Sequence, residues 1–472
     1  MNERVLKLYH SLPFSARSVV ASARGLHLRR WRYGSETTQL VKEALEREQW
    51  SPQQWKVWQE NRLGFVLHRA GTHVPYYRRM WAKRRTKGDL VSWDYLENWP
   101  ILEKEDLRAQ PLAFVAEDCN PRRMFHEHTS GTSGTVLSLW WSKRTVREWY
   151  ALFEARWRKW YGVSKDDRWA ILGGQLVIPF SQKRPPFWVW NAAMRQLYMS
   201  SYHLAPVLVP DYLDALVHYR IKYLWGYTSS LYSLALEALR LNRSDIRMMV
   251  AITNAEPLFD YQREAIAEAF HCPVRETYGM AEIVAAASEC DAGNLHLWPE
   301  VGILEAMEGA EHVSQGNPGD LICTGLFNAD MPLIRYRVGD RAALQSDGSP
   351  CSCGRSLPRL QSVEGRTDDT LYTSDGRRIG RLDPVFKNKL PIREAQIVQE
   401  AIDRIRVRFV PGSEYTAAAG ALLVERLQSH LGPVNVLLEP VDAIPRTANG
   451  KFRAVVCELP MSQRRHFNTR RD

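Results

Sequence analysis

No run of apolar residues in this sequence is long enough to span a bilayer. The opening stretch, MNERVLKLYHSLPFSARSVVASARG, carries an acidic residue and no clear apolar segment with a cleavage site, which argues against an export signal. Cysteine is scarce and odd in number, seven in all, so a disulfide framework is not expected. There is no internal repeat, no low-complexity tract, and neither a nucleic-acid-binding motif nor a basic–aromatic repeat. The pattern GxxxxGK[ST] is missing too, which disfavours an ordinary P-loop NTPase. These absences leave a globular protein, expected in the cytoplasm and not expected to bind nucleic acid.

What is present is a well-cored chain. Apolar residues make up 45%, charged residues 25%, and there are 17 tryptophans among 472 residues. That length calls for at least two domains. The net charge is +10, with much of the excess in LHLRRWRYG (Leu26–Gly34) and SQRRHFNTRRD (Ser462–Asp472). Such basic ends are solvated, face an anionic ligand, or make peripheral contact with an acidic membrane. The interleaved Trp and Arg of Arg29–Tyr33 keep the membrane reading open.

Apolar residues recur at helical spacing through ETTQLVKEALEREQW and QWKVWQENRLGFVLHRAG, so residues 1–80 read as a helical segment, broken by a proline in HVPYY. TVREWYALFEARWRKWYG reads as an amphipathic helix ending at Gly162. RWAILGG, IKYLWGYT, MMVAITNAEPL and CPVRETYGMAE read as buried strands running into loops, alternating with the helices YLDALVHYR, SLYSLALEALRLN and DYQREAIAEAFH. This pattern predicts an α/β class with doubly wound sheets and ligand loops at the strand C-termini. From about residue 291 to 367 short strands with frequent Gly, Pro and Asp predict a β-rich subdomain within a core spanning 81–367. Residues 368–472 read as a small α+β domain.

HTSGTSGTVLSLWWS, beginning at His128, holds a stretch of Thr, Ser and Gly alone, from Thr129 to Thr135. Such a loop offers backbone N–H groups and hydroxyls to an anion. Alone it also reads as a flexible linker. It is followed in chain order by Asn254–Leu258 (NAEPL), Glu276–Glu282 (ETYGMAE), Ile334–Asp340 with Gly365–Asp369 (IRYRVGD, GRTDD) and Pro445–Lys451 (PRTANGK). Together these resemble the adenylate-forming superfamily of acyl-CoA synthetases. The doubled TSGTSGT, RYRVGD and CSCGRSLPR resemble phenylacetate–CoA ligase and its relatives, and HVPYYRRMW looks most like the branch named for capsular polysaccharide biosynthesis.

The resemblance implies a large adenylate-forming domain and a small mobile C-terminal one. It implies that ATP and a small carboxylic acid, with Mg²⁺, give an acyl-adenylate and pyrophosphate. Thr129, Ser130, Gly131, Thr132, Ser133, Gly134 and Thr135 would cradle the β- and γ-phosphates. Glu282 would be the magnesium-associated glutamate. Tyr278, Gly279 and Met280 would pack on one side of the adenine, and Asn254, Ala255, Glu256 and Pro257 would line the other. Asp340 and Arg366 would take the ribose hydroxyls. Asp368 would be the hinge of the small domain, and Lys451 would bridge carboxylate and phosphate oxygens. Tyr202, His203, Trp225 and Tyr227 would lie about the acid pocket, His203 meeting either substrate or a core hydrogen bond. The acyl group would pass to CoA, or in a second reading to an amine such as an amino sugar. A non-catalytic nucleotide-binding scaffold and a basic membrane or nucleic-acid adaptor are the competing classes. A homodimer is left open.

Cys290 and His296 stand five residues apart, and Cys351 and Cys353 follow in the same β-rich region. Three thiolates and an imidazole suit a tetrahedral Zn²⁺. The spacings are looser than the common two-residue clip. Some relatives carry a similar set, so a structural zinc is expected, the alternative being four unrelated residues.

Overall fold

The computed structural model describes residues 3–129, 137–179, 181–345, 350–366, 371–374, 378–379, 390–447, 452–460 and 463. Helices α1 (Glu3–Ser11), α2 (Phe14–Arg32), α3 (Thr37–Glu46), α4 (Pro52–His73) and α5 (Pro75–Thr86) open the chain. The proline of HVPYY breaks the helical run as expected, ending α4 at His73 and starting a new helix. Pro75 occupies the first turn of α5, where its missing N–H costs nothing. Ser51 and Gln54 form a capping box that starts α4.

After the short helix α6 (Lys104–Ala109), the hairpin β1 (Phe125–His128) and β2 (Ser138–Trp141) leads into α7 (Lys143–Arg156). Ser142 caps α7 by accepting from the Thr145 N–H. The α-helix ends at Arg156 and not at Gly162, because Trp157 and Arg158 turn into the core. A 3₁₀ turn then reaches Gly162 at φ 72°.

Strands β3 (Trp169–Gly173), β4 (Trp188–Asn191), β5 (Gln196–Ser200), β6 (Tyr223–Tyr227), β7 (Val250–Asn254) and β8 (Val274–Gly279) alternate with helices α8 (Val209–His218), α9 (Thr228–Arg240) and α10 (Asp260–Phe270). There follow β9 (Ala286–Glu289), β10 (Leu295–Leu297), β11 (Gly302–Glu308), β12 (Glu311–His312), β13 (Pro318–Gly325), β14 (Tyr336–Leu344) and β15 (Arg359–Arg366). All of these but the β1–β2 hairpin join one 13-stranded sheet, ordered β12-β11-β13-β14-β15-β10-β9-β8-β7-β6-β3-β5-β4. Its middle, β8-β7-β6-β3-β5, is parallel. Antiparallel pairing of β8 with β9 continues the sheet into the β-rich half.

The parallel strands are covered on both faces, and their side chains divide by alternation. Trp169, Tyr223, Trp225, Val250 and Ile252 point into one buried core with α7 and the N-terminal helices. Ala170, Leu172, Leu224 and Ala251 point into a second core with α8, α9 and α10. β3 lies between β5 on one side and β6 on the other. That makes the β3 edge a topological switch point, where open α/β sheets bind ligands.

The large half is further tied by a buried ion network. Arg156, fully buried, grips Glu300 with both terminal nitrogens at 2.8 Å, and Arg47 donates to the same carboxylate at 3.0 Å. Residues 371–460 carry β16 (Leu371–Tyr372), β17 (Arg378–Ile379), β18 (Ile392–Ala401), β19 (Arg404–Pro411), α11 (Ala417–Leu431), β20 (Asn435–Pro440) and β21 (Val455–Cys457). A four-stranded sheet β20-β19-β18-β21 shares a third core with α11, built on Ile397, Ile405, Val407, Leu423 and Leu427. No described helix is long and apolar enough to cross a membrane.

Candidate functional site

The C-terminal ends of β3, β6, β7 and β8 open on one edge of the sheet, and the candidate residues gather there. At the neck of the Thr/Ser/Gly loop, Thr129 donates its N–H to Leu137 O at 3.1 Å, and Leu137 N–H donates to Thr129 Oγ1 at 2.9 Å. The neck is thus pinned by the last register pair of the β1–β2 hairpin, His128 with Ser138. Ser130, Gly131, Thr132, Ser133, Gly134 and Thr135 lie outside the described residues, as do Asp368 and Lys451.

Asn254 ends β7. Its amide donates to Gly226 O at 3.0 Å and accepts from Trp225 Nε1 at 2.9 Å, which locks it to the neighbouring strand. Ala255 follows at φ 62°, a left-handed conformation that costs a non-glycine residue about 1 kcal/mol and clusters at functional sites. Pro257 is exposed. The Glu256 carboxylate between them accepts from Ser229 N–H at 2.8 Å and from Phe452 N–H at 2.7 Å. Burial raises its pKa against these donors.

Trp225, expected about the acid pocket, is buried below this edge. Only 3% exposed, its ring stacks on Phe153 at 4.7 Å, so it fills the core and holds Asn254. Tyr202 and Tyr227 meet at the turn after β3. Tyr202 donates to Gly174 O at 3.1 Å, and Tyr227 bonds the Gly174 backbone while burial lifts its pKa to about 12. His203 shares a hydrogen bond of 2.8 Å between Nδ1 and Ser200 Oγ, and its ring stacks on Phe187 at 5.2 Å.

On the other side, Tyr278 at the end of β8 donates to Asp340 Oδ2 at 2.8 Å. Burial and the adjacent Asp340 push the Tyr278 pKa well up, so the hydroxyl stays a donor. Gly279 is exposed above the Trp157 ring; a Cβ there would lie 3.1 Å from the indole edge. Met280 is half-buried beside it. Glu282, in the turn after β8, accepts from Tyr336 O–H at 3.0 Å. A carboxylate oxygen is a ligand type that magnesium accepts. Arg366 pairs with Asp340 in the register of β15 on β14, which brings the two residues side by side.

Tyr336 was not among the residues singled out from sequence. Strand alternation gives its signal, since residues 336, 338 and 340 share one face of β14. Ser229 and Phe452, the partners of Glu256, carry no such signal, because both act through backbone N–H groups.

Away from this edge, Cys290, His296, Cys351 and Cys353 converge, their ligand atoms all within 4.8 Å of one another. Cys290 Sγ lies 3.8 Å from Cys351 Sγ, and Cys353 Sγ 3.4 Å from His296 Nε2. Tetrahedral Zn–S bonds of about 2.3 Å require S···S near ~3.8 Å, so the donor set fits zinc. His296 Nδ1 lies 2.9 Å from Leu357 O, which leaves Nε2 toward the cluster.

This sheet order, with a further four-stranded sheet in the C-terminal residues, is the fold of the adenylate-forming ligases. A solved 2-hydroxyisobutyryl-CoA ligase, in the postadenylation state with 2-HIB-AMP, matches with a TM-score of 0.66 at 21% identity, over 90% of this chain and 93% of that one. In sequence the chain is similar to Protein CapK and to phenylacetate-coenzyme A ligases. Residues 371–458 match the family described as the CapK C-terminal domain. Protein CapK of Staphylococcus aureus is 25% identical over 390 residues, 81% of this chain and 84% of that protein. The phenylacetate-coenzyme A ligase of Pseudomonas putida is 24% identical over 330 residues, 66% of this chain and 71% of that enzyme.

Proposed function

We propose that this protein activates a carboxylic acid with ATP and then passes the acyl group to CoA. The observation that carries the reading is the convergence on one sheet edge of Asn254–Pro257, the Tyr278–Asp340 pair and Glu282, with Phe452 of the C-terminal region bonded to Glu256. The relatives named phenylacetate-coenzyme A ligase and the ligase bound to 2-HIB-AMP support it.

The chemistry follows from charge. A carboxylate oxygen must attack the α-phosphorus of a polyanion, forming the acyl–phosphate bond and expelling pyrophosphate. Asp340, with Oδ2 held by Tyr278, would present Oδ1 to the ribose hydroxyls. Glu282, oriented by Tyr336, would hold Mg²⁺, which neutralises phosphate charge when bound. The Thr129–Thr135 loop would offer N–H groups to the phosphates. Lys451 directly precedes Phe452 and would place its ammonium between the two reacting anions. In the second step a thiolate sulfur attacks the acyl carbonyl and AMP leaves. The acyl chain would lie against Tyr202 and Tyr227.

The test is pyrophosphate release by purified protein with Mg·ATP and pooled aryl, fatty and amino acids, with Lys451→Ala and Glu282→Gln as controls. Acid-dependent release that both substitutions abolish, and acyl-CoA formed only when CoA is added, supports the reading. Turnover that responds to amines and not to CoA keeps the adenylation and replaces the acceptor. Bound ATP with no release from any pool favours a non-catalytic scaffold.

A further inference from the structure

Helix α2 carries apolar residues on both sides. Its inner side packs on the molecule, with Arg17 bonded to Gln182 at 3.0 Å, Arg29 to Ala193 O at 2.9 Å and Arg32 stacked 4.2 Å over the Tyr150 ring. The basic cluster noted in the sequence is therefore partly consumed inward. The outer side is a different set of residues: Val19, Val20, Arg24, Leu26, His27 and Arg30, all exposed. At 100° per residue they fall within an arc of about 160°. Val19 is 68% exposed and Leu26 46%. Helix α1, next before it in the chain, exposes Val5 and Leu8, the latter 67% exposed.

The outward face of a surface helix is normally polar, so these valines and leucines need an occupant. Charge identifies it. Between residues 4 and 35 the sequence has six arginines, one lysine and no carboxylate. Arg24 and Arg30 stand on the outer arc and form no ion pair among the described residues. A second copy of this face would be repelled by its own charge. Nucleic acid would leave the aliphatic side chains in water. An apolar stripe with arginines along it matches the boundary of an anionic bilayer, where acyl chains take the valines and leucines and headgroup phosphates take the guanidinium groups.

We propose that the outer face of α1–α2 is a docking surface for an anionic lipid bilayer. The surface is joined to the candidate acid pocket. Tyr9 donates to Val177 O and His10 Nε2 meets Leu176 O, each at 3.0 Å, on the segment that leaves Gly174.

The experiment is co-sedimentation of the full chain with vesicles of phosphatidylcholine alone, or of phosphatidylcholine and phosphatidylglycerol in equal parts. Binding is expected only to the mixed vesicles, and to fall in high salt. Arg24→Ala with Arg30→Ala is expected to weaken it roughly 30-fold, at about fivefold per charge. Val19→Ser with Leu26→Ser is expected to abolish it, while circular dichroism and thermal midpoint stay unchanged. Failure to bind mixed vesicles at low salt overturns the proposal. So does binding that both double variants retain. A dimer in sedimentation velocity that Val19→Ser with Leu26→Ser dissociates, without vesicle binding, assigns the face to a second copy and overturns it as well.

Discussion

The backbone N–H of Phe452 donates to Oε1 of Glu256 at 2.7 Å, and the other oxygen of that carboxylate accepts from Ser229 at the start of α9. One side chain thus joins the C-terminal region to the edge of the parallel sheet. A second bridge, Arg393 to Glu237, spans 3.2 Å.

Glu256→Gln keeps the shape and loses the charge that two N–H donors now share. Hydrogen bonds to a charged group are worth about 1.5–3 kcal/mol. Acid-dependent pyrophosphate release is expected to drop roughly 10- to 100-fold, with ATP affinity little changed. Equal losses in ATP binding and turnover would show that Glu256 serves the nucleotide and not the contact with Phe452.

Tyr278→Phe removes the donor that fixes Asp340 Oδ2. The expected effect is a rise of about tenfold in the KM for ATP with kcat nearly preserved, and a larger loss for Asp340→Ala. Steady-state kinetics with ATP varied would read it. A fall in kcat alone would mean that the pair acts in the chemical step.

The Cys/His cluster predicts bound zinc at one ion per chain, measured by elemental analysis of protein purified without chelator. Cys353→Ser and His296→Ala should lose it, lower the thermal midpoint and open the segments around 290–297 and 351–360 to protease. Full metal content in both variants would place the ion elsewhere.

Glu300 sits between Arg156 and Arg47. Burial raises its carboxyl pKa, but the two guanidinium groups win and hold it below the ordinary range. Its share of stability is therefore present above the usual carboxyl pKa of about 4.3 and fades as pH falls below it. Glu48, also beside Arg156, is pushed the other way by burial, so its share fades as pH rises. Glu300→Ala takes from buried Arg156 its bidentate partner, leaving only Glu48 at 3.5 Å among the described carboxylates, and is expected to cost about 3 kcal/mol at pH 7, against under ~1 for an exposed pair such as Lys42–Glu46. Urea unfolding at pH 7 and pH 4 tests this: the gap between wild type and variant should narrow in acid.

The parallel half of the sheet is legible because each strand is covered on both faces and so reads as an unbroken apolar run closing on a polar or glycine turn. Helix and strand are not confused there, since IKYLWGYT and MMVAITN are too short for helices. The junction of β8 with β9, which makes one sheet of two halves, is not legible, because pairing partners leave no local mark. The same limit explains Trp225. Its place beside a recognisable turn suggests a pocket, but its neighbour Phe153 lies in a helix distant along the chain. Tyr336 stands within IRYRVGD, where strand alternation aligns it with Asp340, yet its bond to Glu282 depends on how β14 meets the turn after β8. The four Cys/His donors can be named as a set, but their distances depend on β10 pairing with β15.

Gly279 lies directly over the buried indole of Trp157, and Trp298 and Trp225 pack against that indole at 4.7 and 5.5 Å. Whatever comes to rest on that glycine changes the surroundings of an excited-state reporter already wired to two others. The protein has its own optical gauge of occupancy beside Tyr278, and Trp157→Phe is the blank against which it can be read.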